Sequence, residues 1–179
     1  ELDDKRGIAN SLRHIGRWYS IQDSLEIARF NYYIPALEIY RELGDRSNIG
    51  EIYISLGSLI IQEGDSINKG IEYIEKGINI KKELGDSFVG GIDVLGHVYH
   101  DNCNYGLAQE YFYNNYKSTL DIDYVFGKIH TTRNLCTINY YMGNYEQSLE
   151  YCNETLRLIK NDNIQHKEEE KIALNYLGQ

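Results

Sequence analysis

Four side chains able to bind a metal or move a proton fall within a short stretch: Asp93, His97, His100 and Asp101. Residues three and four apart share one face of a helix, so a helix here would point a carboxylate and two imidazoles the same way. Zinc or nickel accepts such donors, and His130 is a further imidazole that a neighbouring element can bring in. Against a metal, no second motif of fixed spacing accompanies the cluster, and histidines are common on surfaces. No metal and no cofactor is therefore assigned. Arg13 and Arg17, one helical turn apart, can hold a carboxylate or phosphate; the alternative is a solvated face paired to nearby acids. No nucleophile, base and acid set is recognisable. "GDSFVGG" at 85–91 lacks the lysine of a phosphate loop and reads as a turn. Catalytic residues are thus none, and the chain reads as a non-enzyme.

The elements that must position these residues are read from composition first. The chain has 179 residues, enough for one domain with a substantial core. A single proline leaves room for long helices, and 17 tyrosines supply rings that bury while their hydroxyls find partners. The net charge of −9, with no basic stripe, excludes general nucleic-acid binding. No apolar run approaches the roughly 20 residues of a membrane span and no signal peptide is visible, so no membrane insertion is expected and a cytoplasmic location is the default. Cys103, Cys136 and Cys152 are odd in number and irregular in spacing, so buried reduced thiols are expected rather than a disulfide framework.

The chain repeats itself. "ELGD" occurs at 42–45 and again at 83–86. An apolar residue followed by a small one recurs as Ile15-Gly16, Leu56-Gly57, Leu95-Gly96, Leu135-Cys136 and Leu177-Gly178, at intervals of 41, 39, 40 and 42. Each unit reads as two helices joined by a turn signal: Glu63-Gly64-Asp65, Asn102-Cys103-Asn104, Gly143-Asn144. The units run approximately 3–44, 45–85, 86–123 and 124–162, with a partial one at 163–179. The first helices carry Leu12, Ile15 and Tyr19, then Tyr53, Leu56 and Ile60, then Ile92, Leu95 and Tyr99. Two departures are expected to weaken the pattern. Pro35 falls inside a second helix and should kink or break it, near an extra residue between turn and helix. Gly70 and Gly77 stand where alanines are expected.

This pattern resembles the tetratricopeptide repeat (TPR). Leu95, Gly96, Tyr99, Asn104, Tyr105, Ala108 and Phe112 match its signature, as do Leu135, Gly143, Asn144, Tyr145, Leu149 and Tyr151, with Cys136 and Ser148 in place of its glycine and alanine. "LDDKRGIANSLRHIG" at 2–16 is similar to the junctions of the variant with a period near 40 residues found in bacterial signalling proteins and eukaryotic adaptors. The resemblance implies an all-α fold: a right-handed α-solenoid of stacked antiparallel helix pairs, about four repeats plus a terminal helix, forming a single domain. The expectation from its ends is a fragment of a longer protein, or a capping helix at 167–177. Small residues would sit where two helix backbones meet, with Tyr105 and Tyr145 under the turns.

In such a solenoid the first helices line a concave face, which is the candidate binding surface. Its residues are Asn10, Arg13 and Arg17; Glu51, Ile54 and Ser58; Asp93, His97 and His100; and His130, Arg133, Thr137, Tyr140 and Tyr141, with Ile172, Asn175 and Gln179 on the last helix. The carboxylate clamp of the chaperone-tail subgroup is not reproduced. The expected function is a protein- or peptide-binding scaffold, with Arg13 and Arg17 meeting an acidic group and Tyr140 and Tyr141 gripping a peptide. A regulatory or sensor segment of a larger signalling protein (kinase, cyclase or transcription regulator) is the alternative. Self-association through the terminal helices is a further expectation.

Overall fold

The structure, a computed structural model, describes residues 2–120, 125–161 and 166–178. The expected unit boundaries near 123 and 162, and Gln179, lie outside them. Ten α-helices, with no strand among the described residues, follow one another: α1 Leu2–Ile21, α2 Leu25–Ile27, α3 Ile34–Glu42, α4 Arg46–Gln62, α5 Ile67–Leu84, α6 Val89–Asp101, α7 Tyr105–Leu120, α8 Val125–Tyr141, α9 Tyr145–Asn161 and α10 Lys167–Leu177. The chain divides into two compact units, Glu1–Gly91 and Ile92–Gln179.

Helix ends follow one chemistry. Among the described residues, six turns between helices carry a left-handed residue: Asp23, Gly44, Gly64, Gly85, Cys103 and Gly143, with φ between 58° and 76°. Each closes the same pair of bonds. At the α4–α5 turn, Asp65 N–H donates to Ile60 O at 3.3 Å and Gly64 N–H to Ile61 O at 3.1 Å, satisfying carbonyls that the helix end would otherwise orphan. A residue one or two positions on then caps the next helix: Asp45 accepts from Asn48 N–H at 3.2 Å and Ser66 from Lys69 N–H at 3.3 Å. The hairpin turns at 23, 64, 103 and 143 thus recur every 39–41 residues. Gly178 is also left-handed, at the end of α10, so Leu177-Gly178 ends a helix here instead of marking a helix crossing.

In the first unit, α4 and α5 pack antiparallel with their backbones in contact. A β-carbon at Gly57 would stand 2.5 Å from the Gly70 carbonyl oxygen, and one at Gly70 would stand 2.7 Å from that of Gly57. One helical heptad away, a β-carbon at Gly77 would collide with the Gly50 carbonyl. Gly70 and Gly77 are therefore the far half of two glycine crossings, a correction to their reading as weak substitutes for alanine. Ile52, Leu56 and Leu59 of α4 close a core with Ala9, Ala28, Tyr33, Ala36, Leu37 and Tyr40.

Pro35 does not break its helix. The residues before it, Ala28–Tyr33, form a π-helical turn between α2 and α3, in which Ile34 N–H donates to Arg29 O, five residues back. Proline has no N–H and its ring crowds the preceding turn; the wider turn relieves that crowding and absorbs the extra residue. Both registers then reach the same core, through Ala28 and Tyr33 before Pro35 and Ala36, Leu37 and Tyr40 after it. Ile15 differs from expectation: it is exposed, while Gly16 beside it abuts Tyr32 and Tyr33.

The second unit repeats the arrangement with other small residues. Gly96 of α6 lies against the Phe112 ring of α7. Phe112 joins Ala108, Leu135 and Ile138 in a core edged by Tyr99, Tyr105, Tyr116 and Tyr151. Ser148 Oγ of α9 donates to the Cys136 carbonyl of α8 at 2.8 Å, and Thr155 Oγ1 to Thr132 Oγ1 at 2.9 Å, the same antiparallel register. Cys136 and Cys152 face the core as expected, but they are joined in a disulfide rather than reduced; their Cα atoms are 5.1 Å apart. Cysteine number and spacing carried no sign of this, because the pairing arises from two helices meeting. Tyr145 is exposed instead of filling the corner, and most other tyrosines are half-buried.

Gly96→Leu should destabilise by about 1–3 kcal/mol, the usual cost of overpacking, and Phe112→Ala in the same chain should recover part of the loss in a melting curve. Thiol titration of the native, unreduced protein should find one reactive group, the exposed Cys103; three would contradict the bridge.

Candidate functional site

The second unit holds a cavity of about 430 Å³ lined by His97, His100 and Asp101 of α6, Phe112 of α7, Arg133, Asn134, Thr137 and Tyr140 of α8, and Ile172, Asn175 and Tyr176 of α10. Each first-type helix of this unit contributes. The residues expected at this face therefore do come together, save that Asp93 and His130 stand behind the lining and Tyr141 to one side.

Asp93 is the hub. Its Oδ1 accepts from Asn134 Nδ2 at 2.8 Å and from Asn115 Nδ2 at 3.3 Å. Both asparagines are nearly fully buried, and buried amides are costly without such partners. His97 Nε2 lies 3.7 Å from Asp93 Oδ2, and His130 Nδ1 lies 3.6 Å from Oδ1. Arg133 Nη2 donates to Asn134 Oδ1 at 2.7 Å and to His130 Nε2 at 2.9 Å, so a chain of bonds runs from guanidinium through amide to carboxylate. Burial pushes the His130 imidazole below its ordinary value; Asp93 opposes that shift and Arg133 and His97 add to it. Burial also lowers Arg133, against the pull of Asp93 and Glu169. Arg133 Nε and His100 Nε2 are buried without a protein partner.

An aromatic wall adjoins the cavity. Tyr140 and Tyr176 rings stand 4.9 Å apart, Tyr141 meets His100 at 4.9 Å, and Tyr105 stacks on Tyr141 at 5.6 Å. Tyr140 and Tyr141 are both nearly half-exposed, as the sequence suggested. Asn115, Asn134 and Tyr176 were not foreseen. The signal for the asparagines was a polar amide at a helix-interior position, where only a buried partner makes it favourable.

In the first unit the expected stripe is largely occupied with structural work. Asn10 Oδ1 accepts from Tyr40 OH at 2.8 Å. Glu51 pairs with Lys81 at 3.2 Å, and Ser58 accepts from Gln62 at 3.2 Å. Ile54 is buried at 8% exposure against Gly77 and Gly91, a core residue and not a surface contact; the glycines opposite it draw it inward. Arg13 is half-buried, its Nε without a protein partner, and lies near His14 at 3.3 Å. Arg17 is exposed.

Asn134→Leu should destabilise by about 1–3 kcal/mol, because it strips Asp93 and Arg133 of partners at once. Thermal melts that match the parent protein would contradict the hub.

No family model matches the chain, and no curated protein matches it in sequence. Solved structures do. BtubC from P. vanneervenii is similar with a TM-score of 0.75 and 15% identity, over 88% of this chain and 65% of its own. A putative kinesin light chain from P. anserina, with nearly identical TPR-like repeats, gives 0.72 and 12%, over 95% of this chain and 87% of that one. PilF of Pseudomonas aeruginosa gives 0.69 and 19%, over 99% of this chain and 75% of that one. This chain spans about 65% of the length of BtubC. These likenesses, with antiparallel helix pairs recurring every 39–41 residues, establish that the chain has the tetratricopeptide-repeat fold.

Proposed function

We propose that the chain is a non-catalytic scaffold that binds a protein or peptide segment, with the cavity of the second unit as a principal contact. The observation that carries this reading is a pair of unspent polar atoms, one donor and one acceptor: His100 Nδ1 donates to Asp101 Oδ1 at 2.9 Å, which leaves Nε2 of the neutral ring as an acceptor. Arg133 Nε and His100 Nε2 are buried with no protein partner, and both residues line the cavity. A buried polar atom left unpaired costs free energy; a carbonyl oxygen of an extended peptide would accept from Arg133 Nε–H and a peptide N–H would donate to His100 Nε2. Tyr140 and Tyr176 give that peptide an aromatic wall, and rigid tyrosines are frequent anchors of binding energy. The fold supports the same reading, since stacked helix pairs present an extended surface rather than a closed active site. In the first unit, the exposed Arg17 and half-buried Arg13 are the groups that would meet an acidic segment.

No helix among the described residues is long and apolar enough to cross a membrane. The compartment is one in which the Cys136–Cys152 bridge persists; a cytoplasmic location requires the bridge to resist reduction there.

Peptides selected from a display library against the full chain, in buffer containing EDTA, test the proposal. Tyr140→Ala should weaken the selected peptides by about tenfold or more, and Arg17→Glu should weaken acidic ones. Unchanged affinity in both variants would sink the proposed surface.

A further inference from the structure

We propose that Asp93, His97 and His130 form a three-ligand site for a divalent transition metal of the zinc or nickel class, with its open position facing the cavity. The site goes beyond the peptide-binding reading and does not depend on it. One ligand atom from each of the three residues can be chosen so that all lie within 4.8 Å of one another. The carboxylate-to-imidazole separations are 3.7 Å and 3.6 Å. Tetrahedral zinc with nitrogen and oxygen ligands near 2.0–2.1 Å sets ligand atoms about 3.3–3.5 Å apart; His97 Nε2 to Asp93 Oδ2 and His130 Nδ1 to Asp93 Oδ1 are already close to that, and side-chain rotation closes the rest of the set.

The donor set suits borderline metals better than calcium or magnesium, which take oxygen ligands. The support around the ligands is also of the kind metal sites use. Asn115 and Asn134, from two different helices, hold Asp93 Oδ1 and leave Oδ2 toward His97. Such outer partners orient a ligating carboxylate. His97 is carried on the same helix one turn after Asp93, and its ring is braced edge-on by Phe112 at 5.1 Å. His97 also lines the cavity, so a metal held there would have a water or a ligand group within reach.

Arg133 makes the proposal specific. It donates to His130 Nε2, which places the proton of neutral His130 on Nδ1. Capture of a metal at Nδ1 moves that proton to Nε2, and Arg133 gives up this bond while keeping Asn134. The guanidinium therefore opposes the metal both by its charge and by its hydrogen bond, and removing it should strengthen binding.

Calorimetric titration of zinc chloride into the full chain, first stripped with EDTA and held in chelator-free buffer, tests the site. The expected result is saturable binding of one equivalent. His97→Ala and His130→Ala should each weaken it by about tenfold or more, Arg133→Ala should tighten it, and Cys103→Ser should leave it unchanged. His97 is exposed enough that its alanine variant should fold, which circular dichroism confirms. No saturable binding below about 100 µM zinc, far weaker than structural or catalytic sites, would overturn the proposal. So would binding that survives both histidine variants, or that vanishes with Cys103→Ser.

Discussion

Contact between helix backbones is the constraint on which the rest depends. Two helices can approach until main-chain atoms touch only where neither carries a side chain in the way. Gly57 meets Gly70 and Gly50 meets Gly77, a heptad apart, so α4 and α5 are fixed in distance, direction and register together. Dispersion falls off steeply with separation, which makes the close approach favourable once the steric obstacle is absent. The other pairs use the same logic with different residues. Gly96 admits the Phe112 ring, and the Cys136 carbonyl receives the Ser148 hydroxyl.

The same register assembles the candidate site. In the α6–α7 pair, Gly96 faces Phe112, and three residues away on each strand of the register Asp93 faces Asn115. Widening that crossing would draw the Asn115 amide off the Asp93 carboxylate. The α8 helix supplies Asn134 to the same oxygen, and its neighbour Arg133 reaches His130. The packing residues and the polar hub are thus one geometric object. A buried network of this kind is favourable only when each member finds a partner, and the unpaired Arg133 Nε donor and His100 Nε2 acceptor belong to residues that line the cavity.

Much of this was legible in the chain. The recurrence of an apolar-small pair gave the period, and the Gly-Asp and Gly-Asn turns gave helix ends that the left-handed residues reproduce. His97, His100, Arg133, Thr137 and Tyr140, which helical spacing places on one face, all line the cavity of the second unit. What failed has local causes. Ile54 was assigned to a surface because spacing alone cannot show that the helix opposite carries glycines. Pro35 was expected to kink or break its helix; the irregularity takes the form of a π-turn, which leaves no simple periodic trace. The disulfide and the Asp93–Asn115–Asn134 hub join residues 16 to 41 positions apart, and only the register of folded hairpins brings such residues together.

The most direct test is a double-mutant cycle on the crossing itself, comparing Gly57→Ala, Gly70→Ala and the double variant by denaturant unfolding. Each single substitution forces the same two backbones apart, so the second should cost less once the first is present. A coupling of about 0.5–3 kcal/mol in that direction is the expected result. Additive losses, or single variants as stable as the parent, would show that the helices do not rest on one another at these glycines.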